Sequence, residues 1–385
     1  MRCFALLFVA TSVCALGQAN TLAPRHESLK QELRLSVERG LNFLRRTQNK
    51  QTGQWGDGEP VAMTGLAIAS FMLDPNRKTG DAVPAEIEAA TRYLLSQAKP
   101  DGSITIKARA TYNTAIALTA LMLNPKPENE EIMLKARRYL VTRQLDLDEK
   151  GKNDAPTDGG IGYGEEKASH ADLSNTTFAL EALYYAQSLL ADKGDAAKNE
   201  PQLNYAAAID FIQRCQNRPA SNKSNWVSKD PADAGGFIYN PTETRGAKVE
   251  LPDGRIALRS YGSISYAGLL SFIYAGLDKK DERVQAVLDW LRNNYTVDEN
   301  PGLGSQGLFY YYHTMSKALA IADVDFIKTK DGKTIDWRAD LTSKLLNLQK
   351  GDGSWINDQG RWMESDAVLT TSYILMALGR IHQTL

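Results

Sequence analysis

Cysteine and histidine are scarce in this chain, with three of the first and four of the second among 385 residues. Two of the cysteines, Cys3 and Cys14, fall in an N-terminal segment where Arg2 precedes the apolar run Phe4 to Val13 and the small residues Ala15, Gly17 and Ala19. That order of charge, apolar core and small residues is the pattern of a secretory signal, with cleavage expected after Ala19. Only Cys215 then remains. An exported protein with one thiol has no internal disulfide and no thiolate cluster for zinc, so no metal and no cofactor is expected. Basic blocks are lacking too. Forty-five Lys and Arg against forty-six Asp and Glu give a net charge of −1, spread without a cluster, which argues against a nucleic-acid partner. Beyond the N-terminus no run approaches eighteen apolar residues, so no permanent membrane span is expected. Walker-type phosphate loops, H-E-x-x-H zinc motifs and a Gly-Cys-Gly-Glu-Gln thioester string are absent.

What the chain does have is internal repetition. The segment Leu41-Asn42-Phe43-Leu44 leads to Gln48 and then Gly53-Gln54-Trp55, and Leu345-Leu346-Asn347-Leu348-Gln349 leads to Gly353-Ser354-Trp355. Weaker copies are anchored at Gln97, Gln144, Gln216 and, with the glutamine replaced, Tyr295. Each copy reads as an amphipathic helix, a loop rich in Gly, Asp and Asn, and a second, more apolar helix. The second helices are expected at Val61 to Leu73, Thr111 to Leu123, Ser174 to Leu190, Ser263 to Leu277, Leu308 to Ala322 and Ala367 to Ile381. Helices apolar on most of their circumference are buried, so they form an inner ring inside an outer one. The expected fold is all-α: an (α/α)6 toroid over residues 37–385, preceded by a signal at 1–19 and a lead-in at 20–36.

Two insertions break the helical pattern. Residues 216–259 alternate about Pro252-Asp253-Gly254, and Asp325 to Trp337 alternates about Asp331-Gly332, each reading as a small β-hairpin. With the glycine-rich loop at Asp158 to Gly164, they are candidate lids over one end of the ring.

The Gln, Gly and Trp strings resemble the QW repeat of squalene-hopene and oxidosqualene cyclases. Phe309-Tyr310-Tyr311-Tyr312-His313-Thr314 is similar to the tyrosine-histidine-threonine stretch of protein prenyltransferase β subunits. Such repeats cover Val37 to Ile381, and the whole chain looks most like exported bacterial proteins with prenyltransferase and squalene-oxidase repeats. The resemblance implies that the glutamines and tryptophans tie neighbouring outer helices together, and the glutamine is expected to bond amides at the start of the next helix. It also implies a central cavity for an apolar or isoprenoid-like ligand.

Its chemistry is only partly present. The cyclases protonate an alkene with a D-x-D-D acid at the start of an inner helix. The matching Asp172-Leu173-Ser174-Asn175 keeps Asp172 but has Ser174 and Asn175 at the last two acidic positions. Asp146-Leu147-Asp148-Glu149 is closer in spelling and lies in a loop after an outer helix. His313 matches the histidine that holds zinc in the prenyltransferases, but no Asp-x-Cys partner exists. Helix starts rich in tyrosine remain. Asp172, His313 and Asp366 are the candidate catalytic groups. Arg259, Tyr261, Tyr266, Tyr311, Tyr312 and Trp362 are the candidate ligand-binding residues. With the inner helices parallel, these would meet at one mouth carrying the positive ends of six helix dipoles. The same surface suits the sugar rings of a polysaccharide, with His313 or a tyrosine as base and Arg259 facing a uronate. A non-catalytic protein-binding scaffold is the third reading.

Overall fold

The structure, a computed structural model, describes residues 23–78, 80–164, 170–191 and 193–385. The expected signal at 1–19 lies outside them. Two sets of helices alternate along the chain. The outer set is α1 (Ala23–Thr47), α3 (Ala85–Ser96), α5 (Glu130–Val141), α7 (Tyr205–Arg214), α9 (Glu282–Asn293) and α11 (Trp337–Leu348). The inner set is α2 (Pro60–Met72), α4 (Ala110–Leu123), α6 (Leu173–Ala186), α8 (Gly262–Tyr274), α10 (Leu308–Ile321) and α12 (Ala367–Thr384). Starts are marked by side-chain caps: Asp172, Asn204, Asp281, Asp336 and Asp366 each accept a backbone N–H of the first turn. The first helix begins at Ala23, so the expected boundary at residue 37 falls inside it.

Each inner helix packs on the next, and α12 packs back on α2, which closes the (α/α)6 toroid. Burial follows from composition. Every residue of α2 from Val61 to Phe71 is buried, whereas α9 buries only its Val284, Val287, Leu288, Trp290 and Leu291 stripe. Because each inner helix returns from an outer one, the six run parallel, and their N-termini share one face of the ring.

Polar seams join neighbouring repeats. Gln48 donates its amide to the carbonyls of Gly53 and Glu86, Gln144 to those of Gly159 and Asn204, and Gln216 to those of Gly235 and Arg283. Gln349 does the same with Gly353 and Ser36, and so fastens the sixth repeat to the first. These glutamines therefore donate to carbonyls, where the expectation was bonding to amides. Only Gln144 also takes an N–H of the next helix start, that of Asn204. Carbonyls in a first turn keep a second lone pair free while accepting their helical bond. At the fifth seam Tyr295 replaces the glutamine and donates to Asp340 of α11 at 2.9 Å. Gln97 bonds only Ser96 and joins no seam. Trp55 and Trp355, fully buried, each donate their indole N–H to the end of the outer helix before them, at Leu44 and Leu345. Gly353 (φ 91°) lies so close to α1 that a Cβ there would sit 2.4 Å from the carbonyl oxygen of Arg39.

Two hairpins interrupt the helices, β1 (Lys248–Glu250) with β2 (Ile256–Leu258), and β3 (Ile327–Lys328) with β4 (Thr334–Ile335), both antiparallel. They occupy opposite ends of the ring. The first precedes the N-terminus of α8 and stands at the mouth. The second follows the C-terminus of α10 and stands at the far end, so it cannot be a lid over the same opening.

Gln216→Ala removes two buried seam hydrogen bonds and leaves the Gly235 carbonyl without its amide partner, and should cost about 1–3 kcal/mol in urea unfolding. The exposed Gln51→Ala should change stability by less than about 0.5 kcal/mol.

Candidate functional site

A cavity of about 200 Å³ lies among the N-termini of the inner helices. Tyr112, Tyr163, Tyr239, Tyr261, Tyr310 and Tyr373 line it, with Phe178, Trp362, Ile264 and Leu369. Aromatic rings follow one another around the wall: Tyr112 packs edge to face on Phe178 at 5.4 Å, and tilted pairs continue from Phe178 to Tyr310 at 6.2 Å and from Tyr310 to Tyr373 at 5.8 Å between centroids. Polar contacts link the same side chains. The hydroxyl of Tyr310 lies 3.3 Å from Ser174 Oγ, and the hydroxyls of Tyr112 and Tyr373 meet. Tyr239 turns its hydroxyl towards Tyr163, Arg245 and the carboxylate of Asp172.

Charge enters in pairs. Arg109 bridges to Glu59 at 3.0 Å and lies over the ring of Tyr163. Arg245 pairs with Glu243 and lies 4.2 Å above the ring of Tyr239. Both guanidiniums belong to the cavity wall. Glu364 also lines the wall, but its carboxylate is engaged: it accepts the backbone N–H of Tyr310 and the side-chain amide of Asn357. Burial nevertheless pushes the Glu364 carboxyl above the ordinary carboxylate range. Over the opening stands Trp362, 45% exposed, with Arg361 stacked at 4.3 Å on its outer side. Trp362 and Met363 both adopt left-handed backbone (φ 56° and 66°), a strained pair that holds the indole across the mouth. Its ring is fitted to Gly307, where a Cβ would come within 3.0 Å.

Of the expected site residues, the cavity gathers Tyr261 and Trp362. Asp172 sits just behind the wall, fully buried, and accepts the backbone N–H and the side-chain amide of Asn175. Burial raises its carboxyl pKa despite those bonds. Asp366 caps α12 through Val368 and Leu369. His313 is buried with its ring stacked on Tyr373 at 5.2 Å; burial, then Lys317 and Arg380, hold it well below the ordinary imidazole value. Tyr311 and Tyr312 point outward and donate to the carbonyls of Thr296 and Val297, and Tyr266 packs on Tyr311. Arg259 is bound to Asp230 and Asp233 within the insertion, away from the cavity wall. The Asp146–Glu149 string lies in an exposed loop, where Asp146 accepts the N–H of Gly151.

Tyr310, Tyr373 and Ser174 escaped the sequence reading through helical phase. Successive residues turn by about 100°, so of three consecutive tyrosines only one can face the axis. Tyr310 shares its stripe with His313 and Lys317 at i+3 and i+7, and that spacing was visible. Arg245 and Tyr239, carried by the insertion, left no periodic signal.

No family model matches the sequence, and no curated protein is similar enough to match it. Solved structures do match. Type II terpene cyclase MstE from Scytonema, in complex with merosterolic acid A, is 13% identical, with 95% of this chain and 100% of that one covered at a TM-score of 0.54. The same cyclase with geranylgeranyl dihydroxybenzoate gives 12% identity, 93% and 100% coverage and a TM-score of 0.55. Without ligand it gives 13% identity, 92% and 99% coverage and 0.55. The fold is terpene-cyclase-like. At this identity the likeness shows the architecture alone.

The cavity makes a prediction about pH. Burial holds the phenols of Tyr239, Tyr261, Tyr310 and Tyr373 well above their ordinary value of 10, and that of Tyr112 at about 12. A raised folded-state value lends stability that is complete below the unfolded value and is lost as pH climbs towards the folded one. The protein should therefore stay folded to about pH 10 and lose helical circular dichroism above it, in step with tyrosinate absorbance at 295 nm. Ionisation of all sixteen tyrosines near pH 10, with the helical signal intact, would mean that these phenols reach solvent.

Proposed function

We propose that this protein binds a compact isoprenoid-type molecule in the aromatic cavity, with the hydrocarbon against Phe178, Ile264 and Leu369. A polar or anionic head would lie towards Arg109 and Arg245. The observation that carries the reading is the wall itself, six tyrosines, a phenylalanine and a tryptophan closing around one space at the helix N-termini. Helix dipoles and two guanidiniums favour negative charge at its rim, while ring faces favour hydrocarbon below. MstE, which shares the fold, is recorded with a geranylgeranyl-bearing substrate. Size separates the two ligands. A cavity of about 150 Å³ holds benzene, so about 200 Å³ suits a ligand of roughly ten heavy atoms, far short of a geranylgeranyl chain.

Binding without cyclisation is the reading we favour. Protonating an alkene needs a strong carboxylic acid aimed at the ligand. On the cavity wall that place belongs to Ser174, whose hydroxyl meets Tyr310. Of the carboxyls nearby, Asp172 is turned to Asn175 and is weakened as an acid by burial, Glu59 is paired with Arg109, and Glu364 is held by the Tyr310 N–H and the Asn357 amide. Several linked sugars exceed the space, which weighs against the polysaccharide alternative. We also read residues 1–19 as an export signal, so the ligand would be met outside the cytoplasm.

Titration with ten-, fifteen- and twenty-carbon prenyl alcohols and their phosphates, followed by tryptophan fluorescence, tests this. The ten-carbon ligands should bind and quench Trp362, and the twenty-carbon ones should bind at least tenfold more weakly. Ser174→Leu, which fills the cavity, should abolish the quench with the melting temperature kept. If no prenyl ligand binds, or the leucine variant binds as the parent does, the proposal fails.

A further inference from the structure

Three inner helices carry their inward stripes on past the cavity. Seven residues beyond Tyr310 on α10 comes Lys317, and seven beyond Tyr373 on α12 comes Arg380; on α6, Glu181 follows Phe178 by one turn. Seven residues of helix advance about 10 Å, so these side chains meet inside the far half of the ring. Lys317 Nζ lies 2.8 and 2.7 Å from the two carboxylate oxygens of Glu181, and both side chains are only 4% exposed. Arg380 approaches the same carboxylate at 3.9 Å. Two cations thus share one buried anion.

Hydrogen bonding is incomplete around the same point. Tyr274 of α8, 4% exposed, has a hydroxyl with no partner, and it faces Glu181 and Arg380. His313, 1% exposed, has no partner at either ring nitrogen and faces Lys317 and Arg380; the backbone of Tyr373 is near but outside hydrogen-bond geometry. Arg380 Nε is also unpartnered, although Tyr185 stands beside the guanidinium. Lys317 and Arg380 lie near the C-termini of α10 and α12, whose partial negative charge offsets part of the positive excess. That offset supplies no acceptor to the three free donors. A buried donor left unmade is expensive, and a buried net charge more so.

We propose that this cluster binds a small monovalent anion, of the size of chloride or bromide, among Lys317, Arg380, His313 and Tyr274. The anion restores charge balance and accepts from the tyrosine hydroxyl, an imidazole N–H and the guanidinium. Nothing in this depends on what the cavity at the mouth holds.

The test uses the whole protein. Crystals soaked in sodium bromide should show one anomalous peak within hydrogen-bond reach of Tyr274 and Arg380. In solution, replacing gluconate, which is too large to enter, by chloride at equal ionic strength should raise the melting temperature with the logarithm of chloride above the dissociation constant, by about 2 °C at ten times that constant. Tyr274→Phe removes one donor without removing bulk and should need at least tenfold more chloride for the same rise. The proposal is overturned if the bromide peak is absent from the cluster, if water alone fills it in bromide, or if chloride and gluconate give the same melting temperature. The bromide measurement on the parent protein decides the matter even where the variant fails to fold.

Discussion

The ring depends on one interaction that recurs at four of its six seams, a side-chain amide that donates to two carbonyls, one in its own loop and one on the next outer helix. Gln349 shows what this enforces. Its bonds to Gly353 and Ser36 join residues more than three hundred positions apart, and with them the last loop is sealed to the first helix. A seam of this kind fixes an outer helix against the loop of the repeat before it. The inner helices are then bound to run the same way. Six parallel helices put six N-termini on one face, and the mouth follows from closure rather than from any residue chosen to make it.

At that mouth the loops have freedom that the helices lack. The connection from an outer helix to an inner one arrives there, so long insertions on this side reach the axis, and those on the other side do not. The insertion before α8 brings Tyr239 and Arg245 to the wall, and the loop before α6 brings Tyr163. The hairpin after α10 serves a different end: Trp337, just beyond it, donates to the carbonyl of Val324 and closes the far rim.

Periodicity made the twelve helices legible, because burial on a helix obeys a fixed repeat. Four of the six inner helices begin one residue before the position read from apolar spacing, and the other two begin where expected, at Leu308 and Ala367. Side-chain direction was less accessible. Tyr310 lines the cavity while Tyr311 and Tyr312 turn to Thr296 and Val297, since one residue along a helix turns a side chain from the axis to a neighbouring helix. Arg259 and Arg245 were beyond reach for another reason. Both lie in irregular chain, and only the folded insertion shows that the first is spent on Asp230 and Asp233 while the second reaches the cavity.

The interior of the ring is divided along its axis, and the division sets the depth of the cavity. Tyr310 and Tyr373 form the lower wall of the cavity; His313, stacked beneath Tyr373, begins a polar layer that ends in Lys317, Glu181 and Arg380. An apolar chain extended downward would have to displace an imidazole and strip a buried ion pair of its surroundings, a cost of several kcal/mol that no added methylene repays at about 0.8 kcal/mol each. Lengthening the cavity therefore requires neutralising the floor as well as hollowing it. The short cavity and the charged floor are consistent with one another: an aromatic mouth opens at one end of the axis, and a polar plug fills the other.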